Sequence, residues 1–353
     1  MIFLNNYKIK LFIFIAFFLG FTAVMFYNPS VLSDGVKNGI DMCTKTIIPS
    51  LFPFMVVSDF IILSGVGSAV GEKLSALTKV FFNLPGCTSC VVLMSLTGGF
   101  PVGARMTAKL AEEKYISQSQ GRRMLLFCVN CGPAFSVSTV GTAMLSSKKA
   151  GIVIYVSLIL SSLIVGIISR FFEKDNCNTS IKTVSDINGG VISDSVKDST
   201  AAILSICAWV ILFSCIGNCM SMISIPEKIK AVLFSILEVT NGCQKSSKLF
   251  APFFLAGIIG WSGIAVHCQI AEYLKKCKMS YFVFLLGRIA TSLLSTIICF
   301  LLMKLFRIDI DVFSSASDVA IKPFSISFSS AVAVVILAVF MLADNSLARN
   351  KRI

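Results

Sequence analysis

The chain has 353 residues, of which 56% are hydrophobic and 14% charged, with a mean hydropathy of +0.85 and a net charge of +13. Soluble domains carry roughly 25% charged residues, so a water-facing globule is excluded. The basic residues lie in short segments beside apolar runs, with no basic domain to bind nucleic acid, and this is the positive-inside pattern of a protein that touches anionic headgroups.

The first apolar run, Leu11–Tyr27, follows Lys8 and Lys10 and carries no charge. It is longer than the ~7–15 residues of a signal-peptide core, and no small-residue cleavage site follows it. It reads as an uncleaved span with a cytoplasmic N-terminus. Further spans are expected at about 47–66, 123–145, 150–170, 199–221, 247–266, 281–305 and 324–343, each near or above the ~18 apolar residues that cross a bilayer. Gly151–Ser169, Ala201–Pro226 and Phe324–Ala343 are uncharged throughout. Backbone polar groups in lipid must be satisfied within the segment, so these runs are helices. Strands of an outer-membrane barrel would alternate polar and apolar residues, and these do not. The C-terminus ends in Arg349, Lys351 and Arg352, so it is placed in the cytoplasm as well. The expectation is an all-α, polytopic transmembrane bundle of about eight spans in a cell membrane.

Two weaker segments suit re-entrant or interfacial helices. Residues 86–106 are apolar but interrupted by Gly98, Gly99, Pro101 and Gly103; residues 228–242 are amphipathic. Residues 174–198 are polar and without periodicity and read as a linker. The chain therefore divides into an N-terminal span (1–30), a first half (31–173), the linker (174–198), a second half (199–307), and a loop with a C-terminal span (308–353). The halves look weakly related. A glycine-interrupted apolar segment leads into a charged turn at Leu93–Ser117 and again at Ala256–Ser280, pairing Ala108 with Ala271, Lys109 with Glu272 and Ser117 with Ser280. Both turns are basic. If both are cytoplasmic the repeat is parallel; an inverted repeat would place one of them outside, against the charge rule.

Gly/Pro-interrupted segments at corresponding places in two halves point to a midplane binding site. Proline removes a donor and glycine permits positive φ, so Gly99, Phe100, Pro101 and Gly103 unwind a helix. The alternative is a kinked helix with close packing at small residues. Asn130 and Pro133 lie inside a span, where the amide binds a polar solute or caps a broken helix. Ser262 and Gln269 are the corresponding polar candidates of the second half. Asp59 is an acid within a span, a functional candidate by default. It is either paired with Arg105 or Arg288 or serves a coupling proton, unless its span starts earlier and places it near an interface. His267, the one histidine, is either a polar wall of the site or a boundary residue.

Thirteen cysteines include Cys87-x-x-Cys90 and Cys128-x-x-Cys131, but neither pair has a polar zinc-knuckle context, so no metal or other cofactor is expected. No catalytic or nucleotide-binding motif is present, so no enzymatic activity is expected.

Three stretches resemble the Gate-domain, or nucleoside-recognition, superfamily. They are Ile48-Pro49-Ser50-Leu51-Phe52-Pro53-Phe54, Gly98–Arg105, and Asn130-Cys131-Gly132-Pro133-Ala134-Phe135 followed by Val140-Gly141. Within it, the chain is most similar to the YlbJ group of sporulation integral membrane proteins. It departs from that pattern at Cys131, where a small residue such as serine is expected, and at the Cys87–Cys90 turn. The resemblance implies a role in spore formation, in the mother-cell or forespore membrane, and kinship to concentrative nucleoside transporters. Its partners would be the bilayer, a small polar solute or ion, and a second copy or spore-envelope proteins. A permease is the leading expectation; a non-transporting scaffold or signalling protein of the spore envelope is the alternative.

Overall fold

The computed structural model describes residues 26–65, 73–172 and 189–308, together with positions 11, 12, 15, 19–23 and 71. All lie in the unit Met1–Val319. The expected last span, 324–343, and most of the first lie outside the described residues. Among those described the secondary structure is helical, with no strand.

Twelve helices matter here. α1 is Pro29–Leu63, 35 residues, with a π-wound segment at Cys43–Ile47. α2 (Ser89–Thr97) and α3 (Phe100–Glu112) follow, then α4 (Gln118–Phe127), the π-wound α5 (Ala134–Met144) and α6 (Lys148–Ser169). The second half holds α7 (Gly189–Ser221), α8 (Glu227–Leu237), α9 (Val239–Ser246), α10 (Phe253–Trp261), α11 (Gly263–Lys276) and α12 (Tyr281–Leu305). Among the described residues, five stretches are long and apolar enough to cross a membrane: α1, α6, α7, α10–α11 and α12.

Several boundaries differ from the sequence reading. The span expected at 47–66 begins at Pro29, because the charges that hid its first turns sit on an exposed face as Lys37–Asp34 and Lys45–Asp41 pairs. α7 begins at Gly189, inside the segment 174–198 that reads as a linker. The span expected at 123–145 is two helices separated by residues 128–133.

α2 and α3 form a hairpin. A Cβ on Gly103 would lie 2.5 Å from the Ser95 Cβ, whereas residues eight apart in a continuous helix are separated by about 12 Å. α8 and α9 form a second hairpin, closed by Ser235 Oγ and Ser246 Oγ at 3.1 Å. The amphipathic segment 228–242 is thus a fold-back about Glu238 rather than one helix.

The broken span α4–α5 runs antiparallel to α6. Ser162 Oγ donates to Phe127 O at 2.6 Å, and Gly141 packs on the Gly151 backbone. The broken span α10–α11 runs antiparallel to α12 in the same way, through Ser295 Oγ to Ala256 O at 3.0 Å and His267 beside Tyr281. Each half is therefore a long helix, a hairpin, a broken span and a long helix, and α1–α6 recurs as α7–α12. Equivalent elements pack together, α1 on α7 and α6 on α12.

Lys276 Nζ lies 3.3 Å from Glu112 Oε1, and Gly121 packs against Cys277 Sγ. The turn after α3 and the turn after α11 thus share one end of the bundle. α4 starts at that end and α11 finishes there, so the two broken spans are antiparallel and the repeat is inverted. This corrects the sequence pairing of Leu93–Ser117 with Ala256–Ser280. Those segments look alike because each is a helix opened by a positive-φ glycine, Gly99 at 89° and Gly263 at 75°. Each also closes in a left-handed lysine, Lys114 and Lys278, with Tyr115 N donating to Leu110 O and Met279 N to Leu274 O. They occupy different places in the repeat, so two basic turns on one face do not require a parallel arrangement.

Candidate functional site

Each hairpin tip sits on the break of a span. At the first tip Gly99 adopts φ 89° and ψ 170°, which an L side chain resists. Pro101 follows in the first turn of α3, where its missing N–H costs nothing. The tip meets the break at residues 128–133: a Cβ on Gly132 would lie 2.7 Å from Thr97 O, and one on Gly103 would collide with Cys128 O. At the second tip Glu238 is extended and caps α9, accepting from Thr240 N and Asn241 N at 2.8 Å each. That tip meets the break at Ser262–Gly263, where a Cβ on Gly263 would lie 3.0 Å from Val239 N.

The sequence reading expects freed peptide groups at these breaks, and side chains meet several of them. Asn130 Nδ2 donates to Phe127 O at 2.7 Å, which makes it a cap of its own broken helix. Tyr155 Oη donates to Leu96 O at 2.9 Å, and Trp261 Nε1 donates to Ile236 O at 3.0 Å. His267 Nε2 lies 3.0 Å from Trp261 O, and Nδ1 lies 3.0 Å from Tyr281 Oη. A carbonyl only accepts, so Nε2 carries a proton and, in the neutral ring, Nδ1 accepts from the tyrosine. Arg288 is buried and donates to Val129 O at 2.7 Å and to Gly260 O, joining the break of one span to that of the other.

Phe100, Pro101 and Ser262 are buried at the breaks, and Pro133 immediately precedes α5. Gln269 lies two turns along α11, half-buried, away from the break. The expected grouping of Asp59, Arg105 and His267 separates. His267 belongs to the second break. Asp59 and Arg105 form another cluster, with Arg105 Nη2 2.7 Å from Asp59 Oδ2. Ser199 Oγ donates to the same oxygen at 2.6 Å, and Lys109 Nζ lies 3.5 Å from Asp59 Oδ1 and 2.9 Å from Asp198 Oδ2. Asp59 is 1% exposed, but Asp198 is 49% exposed and Lys109 is one turn from the end of α3. The cluster therefore lies toward the face that carries the two lysine turns, and it ties α1 and α3 of the first half to α7 of the second.

Lys109, Ser199 and Glu238 are absent from the sequence-derived site, and Arg288 enters it only as a possible partner of Asp59, a pairing the structure does not make, since Asp59 is held by Arg105 and Arg288 by backbone carbonyls. Only Arg288 had a legible signal, as a single arginine inside the apolar run 281–305. Among the described residues no three His, Cys, Asp or Glu side chains gather as a metal site. A cavity of about 10 Å³, room for about one water, lies beside Ile62, Cys90, Val91 and Met106.

The chain is similar to the sporulation integral membrane protein YlbJ of Bacillus subtilis (strain 168). The two are 24% identical over 345 residues, covering 85% of each. No family model matches the chain, and no solved structure gives a significant match. The chain is a multi-pass α-helical membrane protein.

Proposed function

We propose that this is a spore-formation protein of the Gate-domain superfamily that moves a small polar solute, nucleoside-like or ionic, across a cell membrane. The observation that carries the reading is the seating of two hairpin tips on two broken spans, joined at their carbonyls by Arg288. Broken helices place peptide dipoles at membrane depth, where a polar solute needs partners. Gly99, Phe100, Pro101, Gly103, Asn130, Pro133 and Ser262 form the walls of that seam, in a closed state in which Asn130, Tyr155, His267 and Arg288 hold the freed carbonyls. Opening replaces these bonds with bonds to solute and water. Asp59 and Arg105 latch the halves at one face, with Asp59 as the candidate coupling acid. The reading is of a non-enzymatic protein with both termini in the cytoplasm. The relative's name supports spore formation and leaves the solute open.

Purified protein in proteoliposomes tests this with a panel of nucleosides and ions. Saturable uptake by the wild type, lost in a Gly99→Leu, Asn130→Ala double variant that still reconstitutes, is the expected result; no flux of any solute overturns it. The side-chain capping of both breaks favours a second reading, a sealed scaffold in spore-envelope assembly. That reading expects a normal spore phenotype from the double variant as long as it is stably inserted.

A further inference from the structure

Arg288 carries a full charge at membrane depth, and among the described residues no carboxylate pairs with it. A buried unpaired cation is costly, so its compensation must come from elsewhere. The two oxygens it binds supply it. Val129 O lies just past the end of α4, and Gly260 O is in the last turn of α10. Each helix C-terminus carries the equivalent of roughly −0.5 charge, so two of them offset about one positive charge. Carbonyls at the C-terminal ends of broken helices are also the groups that coordinate alkali cations in membrane proteins. Among the described residues the guanidinium Nε finds no hydrogen-bond partner, so the arginine is held by this charge balance rather than by a full set of hydrogen bonds.

We propose that Arg288 is a tethered cation. Its guanidinium fills the place between the ends of α4 and α10 where a monovalent metal ion would otherwise bind, so the two broken spans stay joined without a bound ion. The inference deepens the reading of the breaks as a solute pathway, but its test reads stability and stands whether or not any solute moves. Removing the side chain leaves two helix C-termini facing each other across an emptied, carbonyl-lined space. A small cation then binds there.

The experiment is thermal unfolding of the purified full chain in detergent, in sodium, potassium or choline chloride at constant ionic strength. The wild type is expected to melt at the same temperature in all three. Arg288→Ala is expected to melt lower in choline, and to recover saturably with millimolar sodium, potassium or guanidinium. A saturable sodium or potassium stabilisation of the wild type overturns the proposal, as does an Arg288→Ala loss that no small cation reverses. If Arg288→Ala yields no protein, Arg288→Lys is expected to be recovered from membranes equally in choline and sodium, and Arg288→Met only with sodium or potassium. Equal recovery of both variants in choline overturns the proposal.

Discussion

The two hairpins reach the breaks by different chemistry. The first turns on glycine, with Gly99 at φ 89° and no side-chain cap, and its carbonyl at Leu96 is held by Tyr155 from outside. The second turns on Glu238, whose carboxylate caps its own helix, and Trp261 of the adjoining break holds Ile236 O. Lys109 and Arg105 clamp the first hairpin to α1 and α7 through Asp59 and Asp198. The second hairpin has a serine pair and Lys245 stacked over Phe234 at 4.8 Å. The repeated backbone therefore carries unequal walls, one built of peptide and glycine and anchored by charge, the other bringing a carboxylate to the seam. Symmetry fixes where the breaks meet, and the side chains decide what each can hold.

The largest effect is expected at the clamp. Asp59→Asn leaves Arg105 buried without its acid, while Lys109 keeps Asp198, a loss of about 3–5 kcal/mol. An Asp59→Asn, Arg105→Met double variant should recover part of it, read as a melting temperature in detergent. If the single variant melts like the wild type, the first hairpin is not anchored by charge and the contrast with the second disappears. Next comes the glycine tip: Gly99→Ala forces a side chain into a backbone conformation that costs about 1–3 kcal/mol. Its effect should exceed that of Glu238→Gln, which weakens the cap of α9 by about 0.5–2 kcal/mol. The reverse order would mean that the second tip, not the first, is the strained one. Trp261→Phe removes a single hydrogen bond to Ile236 O, worth about 0.5–1.5 kcal/mol. It should loosen the second tip alone, measurable as faster hydrogen exchange in α8 and α9 with α2 and α3 unchanged.

Much of this architecture is legible in the sequence because lipid enforces it. α6, α7 and α12 appear as uncharged or nearly uncharged runs, and the interruption at Gly98–Gly103 appears as residues that a continuous helix rejects. Folding back is not legible, since glycines at 98 and 99 permit a hairpin and a kink alike, and only the contact of Gly103 with Ser95 decides between them. The first turns of α1 were hidden by Asp34, Lys37, Asp41 and Lys45, whose charges break the apolar run yet sit on one exposed face. The true repeat is not legible, because a positive-φ glycine followed by a helix and a left-handed lysine cap is a local pattern, and local patterns recur outside symmetry. At the site, Asp59 with Arg105 was legible as an acid and a base needing partners at depth. Arg288 is legible only as a base that Asp59 could pair with; its actual partners are backbone carbonyls, and any residue can supply those.

The central claim is that the seam between tips and breaks opens to water. Cys131 lies in the first break, buried at 4% exposure, with Arg288 and Cys243 as neighbours. A variant retaining Cys131 as its one cysteine, reconstituted in liposomes, can be probed with a water-soluble maleimide. Slow labelling that a transported solute accelerates or blocks is the predicted result; complete protection under every ion and solute condition would contradict the account.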